Sequence, residues 1–219
     1  MSYKLVVFDL DGTLVNSLKD LAIAVNEGLK KAGLPVYEVE KYKMFVGNGR
    51  EKLVERAMGE NYEDVKLRDI VRDTFDSFYK EHCNDNTEAY AGCDKMLSSL
   101  KNAGIKTAVL SNKPDEFVNA ILTKLYPLHK FDIAWGKKPE YPTKPNPEAL
   151  NAIVENLGVK KSECLYIGDS DVDIFTANNA GVDMIGVEWG FRGRKELADA
   201  GAPFIARTAD EVLEYIYEN

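Results

Sequence analysis

Apolar residues are spaced in two ways along the chain. Lys4-Leu5-Val6-Val7-Phe8 is a near-continuous apolar run, as expected of a strand covered on both faces. From Ser17 to Gly33 the period becomes helical. Leu18, Leu21, Ala22, Val25 and Leu29 share one face, Ser17 with Asp20 three residues on reads as a capping box, and Gly33 and Pro35 stop the helix. Leu53, Val54 and Ala57 predict a short helix over 51–58. Leu67, Ile70, Val71, Phe75, Phe78 and Tyr79 predict a longer one over 63–82. Residues 15–85 therefore read as an all-helical insertion between the first strand and the remainder of the chain.

Beyond residue 86 the pattern alternates. A helix over 92–102 carries Met96, Leu97 and Leu100, and the strand Ile105 to Leu110 ends at Ser111-Asn112. Pro114 suits the first turn of a helix whose face is Phe117, Ala120, Ile121 and Leu125. A short strand over 131–136 precedes a proline-punctuated loop from Lys138 to Pro147. Asn146-Pro147 opens a helix bearing Leu150, Ile153, Val154 and Leu157, and the strand over 164–168 ends in Asp169-Ser170-Asp171-Val172-Asp173. A helix with Ile174, Phe175 and Ala177 comes next, then a strand over 183–187 and an apolar stretch over 203–206. Val212, Leu213 and Ile216 mark a final helix. The expected fold is α/β: a Rossmann-like, doubly wound, mostly parallel sheet formed by residues 1–14 and 86–219, with a small helical cap formed by residues 15–85.

Three strands end in polar groups, Asp9 and Asp11, Ser111 and Asn112, and Asp169 and Asp173. A doubly wound sheet gathers the loops beyond its carboxyl strand ends into one rim, so these residues are expected to share a site. Carboxylates crowded behind buried strands need a compensating cation, and Mg²⁺ prefers such oxygen ligands. Ser111 and Asn112 precede a helix, whose first N–H groups favour an anion. Lys144, among prolines, could present an ammonium.

Charge and cysteine content narrow the function classes. The 219 residues carry 28 Lys plus Arg against 36 Asp plus Glu, a net charge of -8, which argues against nucleic-acid and anionic-membrane surfaces. Cys83, Cys93 and Cys164 form no C-x-x-C pair and fit neither a disulfide framework nor a thiolate zinc site. Met1-Ser2-Tyr3 leads straight into the first strand with no room for a signal peptide, and no apolar run reaches spanning length. The cytoplasm is the expected compartment, and a monomer or homodimer the expected state.

Asp9-Leu10-Asp11-Gly12-Thr13, Ser111-Asn112, Lys144-Pro145 and Gly168-Asp169-Ser170-Asp171-Val172-Asp173 together resemble the four motifs of the haloacid dehalogenase-like hydrolases, in order and across essentially the whole chain. The resemblance implies that Asp9 is a nucleophile forming an aspartyl-phosphate and that Asp11 is a general acid, then a base. It implies that Thr13, Ser111, Asn112 and Lys144 bind phosphate, and that Asp9, Asp11 and Asp169 hold Mg²⁺. Asp173 would support the metal or Lys144. The second aspartate, Asp11, points to phosphate rather than halide chemistry. The helical insertion resembles the cap of one branch of the family, which closes over the substrate.

Val46-Gly47-Asn48-Gly49-Arg50 resembles the cap loop of phosphoglycolate phosphatases, and Val187-Glu188-Trp189-Gly190-Phe191 their Val-x-Trp-Gly-Tyr segment, with Glu188 and Phe191 departing from it. The implied activity is a Mg²⁺-dependent phosphatase for a small phosphorylated metabolite, with 2-phosphoglycolate as the first candidate and Arg50 or Lys43 meeting its carboxylate. A pyrophosphatase, 5'-nucleotidase, sugar-phosphate phosphatase or β-phosphoglucomutase-like enzyme would share this core and cap. A non-catalytic phosphate-binding regulatory protein is the alternative of another class.

Overall fold

The computed structural model describes residues 3–219; Met1 and Ser2, read as leading into the first strand, lie outside the described residues. Six strands form one parallel sheet: β1 (Leu5–Phe8), β4 (Lys106–Pro114), β5 (Ile133–Lys137), β6 (Cys164–Gly168), β7 (Asp183–Val187) and β8 (Ile205–Ala206), in the order β5-β4-β1-β6-β7-β8. β1 lies between β4 and β6, with Phe8 beside Val109 on one side and Ile167 on the other.

Alternation along β1 divides the core, because successive strand side chains point to opposite faces. Val6 and Phe8 join Met96 and Leu97 of α4 (Cys93–Asn102), Ile121 of α5 (Asp115–Leu125) and Val212 of the C-terminal helix (Ala209–Glu218). Leu5 and Val7 face the other way, onto Leu150 of α6 (Glu148–Asn156) and Ile174 of α7 (Asp171–Ala180). A covered sheet needs no polar alternation, which is why the apolar runs mark its strands.

A third apolar cluster belongs to the cap helices α1 (Leu18–Lys31), α2 (Gly49–Met58) and α3 (Val65–His82). Val25 and Leu29 of α1 and Val71 and Phe75 of α3 are buried there, and Phe191 from the core side joins them. Among the described residues no helix is long and apolar enough to cross a membrane.

Several local expectations are corrected. Residues 15–85 are not all helix: β2 (Val15–Asn16) pairs antiparallel with β3 (Glu88–Ala89), so the two chain crossings into the cap form a ribbon. Ser17 and Asp20 form no capping box. The Ser17 hydroxyl donates to Asp11, and Asp20 accepts from the Asn86 backbone N–H at 3.0 Å and from the Thr87 hydroxyl at 2.7 Å. Both side chains have partners outside the helix, those of Asp20 at long range, and these outcompete the local cap. The strand predicted to end at Leu110 runs on through Pro114. Ile70 and Phe175 are exposed, and so is Ala120, since α5 turns Val118 and Leu122 inward instead. A helix not foreseen, α8 (Gly193–Asp199), precedes the C-terminal helix, α9.

Candidate active site

Because β4, β1 and β6 are neighbours, Asp9, Ser111 and Asp169 meet at one end of the sheet. The Asp9 backbone N–H stays in the ladder, donating to the Ile167 carbonyl at 2.8 Å. Its side chain turns into the interior, where Oδ1 accepts from the Leu10 N–H at 2.7 Å and lies 2.9 Å from Lys144 Nζ. Asp173 arrives from the first turn of α7. The Ser170 hydroxyl and N–H donate to Asp173 Oδ2 at 2.7 and 3.1 Å, a capping box that fixes the carboxylate. Its Oδ1 then accepts from Lys144 at 2.7 Å.

Lys144 is held at both ends. Asn112 Oδ1 accepts from the Lys144 backbone N–H at 2.8 Å, and Asn112 Nδ2 donates to the Lys144 and Gly47 carbonyls at 3.2 Å each. The amide of Asn112 thus orients the lysine and ties in the cap loop. At the far end Nζ serves Asp9, Asp173 and the Tyr166 hydroxyl, the last at 3.0 Å. An ammonium has three N–H donors, so all are used. Burial alone would depress the Lys144 ammonium, but Asp173 and Asp9 hold it well above its ordinary value.

Asp9, Asp169 and Asp173 each offer a carboxylate oxygen, all within 4.8 Å of one another and all buried. Burial pushes the Asp9 carboxyl up to about 7, against the pull of Lys144 and with the help of Asp173 and Asp11. Burial likewise raises Asp169 well above the usual carboxylate range, with Asp173 and Asp9 adding to it. One ammonium does not balance three carboxylates, and this hard-oxygen donor set fits a divalent cation. The chain also closes tightly around Asp169. A Cβ on Gly12 or on Gly190 would come within 2.3 Å of its side chain, and the Phe191 N–H donates to its Oδ2 at 2.7 Å.

The other expected residues divide between this cluster and the cap side. Thr13 is buried, with its hydroxyl 3.5 Å from Asp169 Oδ1. Ser111 is buried, and its oxygen accepts from the Lys113 N–H at 3.3 Å. Asp11 sits apart from the three clustered carboxylates and faces the cap, accepting from Ser17 and lying 2.9 Å from Lys113 Nζ. Arg50 lines the cleft between core and cap, but its guanidinium is paired with both Asp76 and Glu51. Lys43 pairs with Glu40 at 2.7 Å and lies outside the cleft. Sequence reasoning missed Lys113, which is buried in the same cleft. The available signal was its position two residues after Ser111 on a strand end.

A family model for haloacid dehalogenase-like hydrolases matches residues 6–187. The chain is 35% identical over 223 residues to a phosphoglycolate phosphatase of Vibrio parahaemolyticus, covering 97% of this chain and 96% of that one. It is 33% identical over 215 residues to a phosphoglycolate phosphatase of Colwellia psychrerythraea, covering 96% and 95%. The crystal structure of a predicted phosphoglycolate phosphatase from Haemophilus somnus superposes with a TM-score of 0.91 at 31% identity, covering 98% of each chain.

Proposed function

The chain belongs to the haloacid dehalogenase-like hydrolases, and from that premise we propose that it is a Mg²⁺-dependent phosphatase of small phosphomonoesters, with 2-phosphoglycolate as its substrate. The observation that carries this reading is the buried Asp9 carboxylate, set 2.9 Å from the Lys144 ammonium and beside Asp169 and Asp173. The substrate assignment is supported by the full-length similarity to phosphoglycolate phosphatases.

In this reading Asp9 attacks phosphorus and forms an aspartyl-phosphate, splitting one hard hydrolysis into two easier steps. Phosphoryl transfer depends on positioning and charge compensation. The Lys144 ammonium, fixed by Asn112 and Asp173, faces the charge that builds on the phosphoryl oxygens, and the Ser111 hydroxyl donates to it. Asp11, on the cap side of Asp9, gives its proton to the leaving oxygen and later takes one from the attacking water. Asp9, Asp169 and Asp173 would hold Mg²⁺, with Asp173 in the place expected for Asp11, whose carboxylate is turned to Lys113 and Ser17; the ion would supply positive charge to the phosphoryl group. The helices over the cleft keep bulk water from Asp9.

Hydrolysis of p-nitrophenyl phosphate with and without Mg²⁺ tests the reaction class, and no turnover with metal present would overturn it. A panel of 2-phosphoglycolate, pyrophosphate, nucleoside monophosphates and β-glucose 1-phosphate, ranked by kcat/KM, tests the substrate. A different leading substrate would replace phosphoglycolate without touching the chemistry.

A further inference from the structure

The cleft holds a second buried ammonium that this mechanism does not use. Lys113 Nζ lies 2.9 Å from Asp11 Oδ2 and donates to the Tyr79 hydroxyl of α3 at 2.9 Å, 5.0 Å from the centre of that ring. Its side chain is 4% exposed. The ammonium is thus set into the cleft between a carboxyl group of the core and a phenol of the cap.

Lys113 and Lys144 differ in how their donors are spent. Lys144 gives its three N–H groups to Asp9, Asp173 and Tyr166. Lys113 has two partners among the described residues, Asp11 and Tyr79, which leaves one N–H direction for a ligand in the cleft it lines. Arg50 lines the cleft too, but two carboxylates already compensate its charge. Phe75, Phe117 and Leu53 make up much of the remaining wall, and Lys113 is the ammonium of that wall that meets Asp11 directly.

Position supplies the rest. The phosphatase reading puts the leaving oxygen against Asp11. A carboxylate on the carbon next to that oxygen is two bonds away, within the reach of an ammonium that lies 2.9 Å from Asp11. The Lys113 backbone N–H also donates to Ser111 at 3.3 Å, so the phosphate-binding hydroxyl and this ammonium share one short segment of β4. Resting on the phosphatase reading, we propose that Lys113, assisted by the Tyr79 hydroxyl, is the specificity-determining residue that receives a carboxylate carried by the leaving alcohol. Arg50 and Lys43, the cap cations expected from the sequence to take that role, are paired elsewhere.

The test compares 2-phosphoglycolate with 2-hydroxyethyl phosphate, which has the same chain length but no carboxylate. A site built to bond a polar group strongly rejects the analogue that lacks it. Wild-type enzyme is expected to prefer 2-phosphoglycolate, and Lys113→Met is expected to lower that kcat/KM ratio by about tenfold or more, the worth of one charge-assisted hydrogen bond. The loss should appear chiefly as a raised KM for the carboxylate substrate, with Lys113→Arg restoring part of the ratio. Tyr79→Phe should lower the ratio in the same direction by a smaller factor, giving a second readout should Lys113→Met fold poorly. Equal losses on both esters would mean that Lys113 acts only through Asp11, and would overturn the proposal. So would a wild-type enzyme that hydrolyses both esters equally well, which leaves the phosphatase reading standing. Inactivity of wild type on both esters with Mg²⁺ present would also overturn the proposal, and p-nitrophenyl phosphate then separates the two readings: turnover there leaves the phosphatase reading standing, and none removes it as well.

Discussion

Lys144 and Asp173 hold one another at 2.7 Å with side chains 3% and 0% exposed, the lysine from a proline-bounded loop and the aspartate from a helix cap. The pair is one side of a larger imbalance, because Asp9 and Asp169 share the same space. Removing one partner of a buried ion pair leaves a charge with neither water nor counter-charge. Lys144→Met is therefore expected to destabilise the metal-free protein by on the order of 3 kcal/mol near neutral pH and to abolish turnover. Urea unfolding followed by circular dichroism measures the first, and a loss below about 1 kcal/mol, typical of an exposed pair, would contradict it.

Gly12 sits at φ +90°, and a Cβ there would come within 2.3 Å of Asp169 Oδ2. Two costs combine at this position, the backbone conformation and the clash with a member of the carboxylate cluster. Gly193, at φ +72° with nothing near its missing Cβ, carries only the first. Gly193→Ala is expected to cost about 1 kcal/mol. Gly12→Ala should cost more and should also weaken Mg²⁺ binding, which Gly193→Ala should not. Calorimetric titration with MgCl₂ and thermal melts of both variants separate the effects.

Asp9→Asn keeps the shape of the side chain and removes the nucleophilic charge. Turnover of p-nitrophenyl phosphate should fall by about a thousandfold or more, and acid-quenched wild type should carry a phosphoryl adduct that the variant lacks. An adduct that survives in Asp9→Asn would place the nucleophile elsewhere.

The doubly wound sheet was legible because its strands are buried on both faces, so Leu5–Phe8, Cys164–Gly168 and Asp183–Val187 stand out as apolar runs. Polar residues at their ends then marked the rim. Contacts made across long sequence separations were not legible. Ser17 and Asp20 match a local capping pattern, yet Asp20 takes its partners from Asn86 and Thr87, 66 and 67 residues away. Lys113 follows Ser111-Asn112 with no pattern that marks it, and only the fold shows Tyr79, 34 residues away, closing over it. Phe175 sits beside Ile174 in an apolar stretch of α7, yet Ile174 is buried and Phe175 is exposed, a difference that composition alone does not mark.

The metal-free site should also reveal itself through pH. Burial lifts the Asp9 carboxyl from an ordinary 3.8 to about 7, with Asp173 and Asp11 adding to the rise against Lys144, and Asp169 moves in the same direction. A carboxyl raised on folding binds its proton more tightly in the native state than in the unfolded chain. Between about pH 4 and 7 the native state therefore holds more protons, and this contribution to stability falls as pH rises. Divalent metal needs the same groups ionised, so protons compete with it below neutrality. In EDTA, Tm should decline from about pH 5 to 8 once the other groups' titration is accounted for with an Asp9→Asn control. The increase in Tm on adding saturating MgCl₂ should grow over that range and level off above about pH 7. A metal-induced increase that is the same at both ends of the range would mean that the carboxylates are already ionised, with their charge balanced by the protein alone.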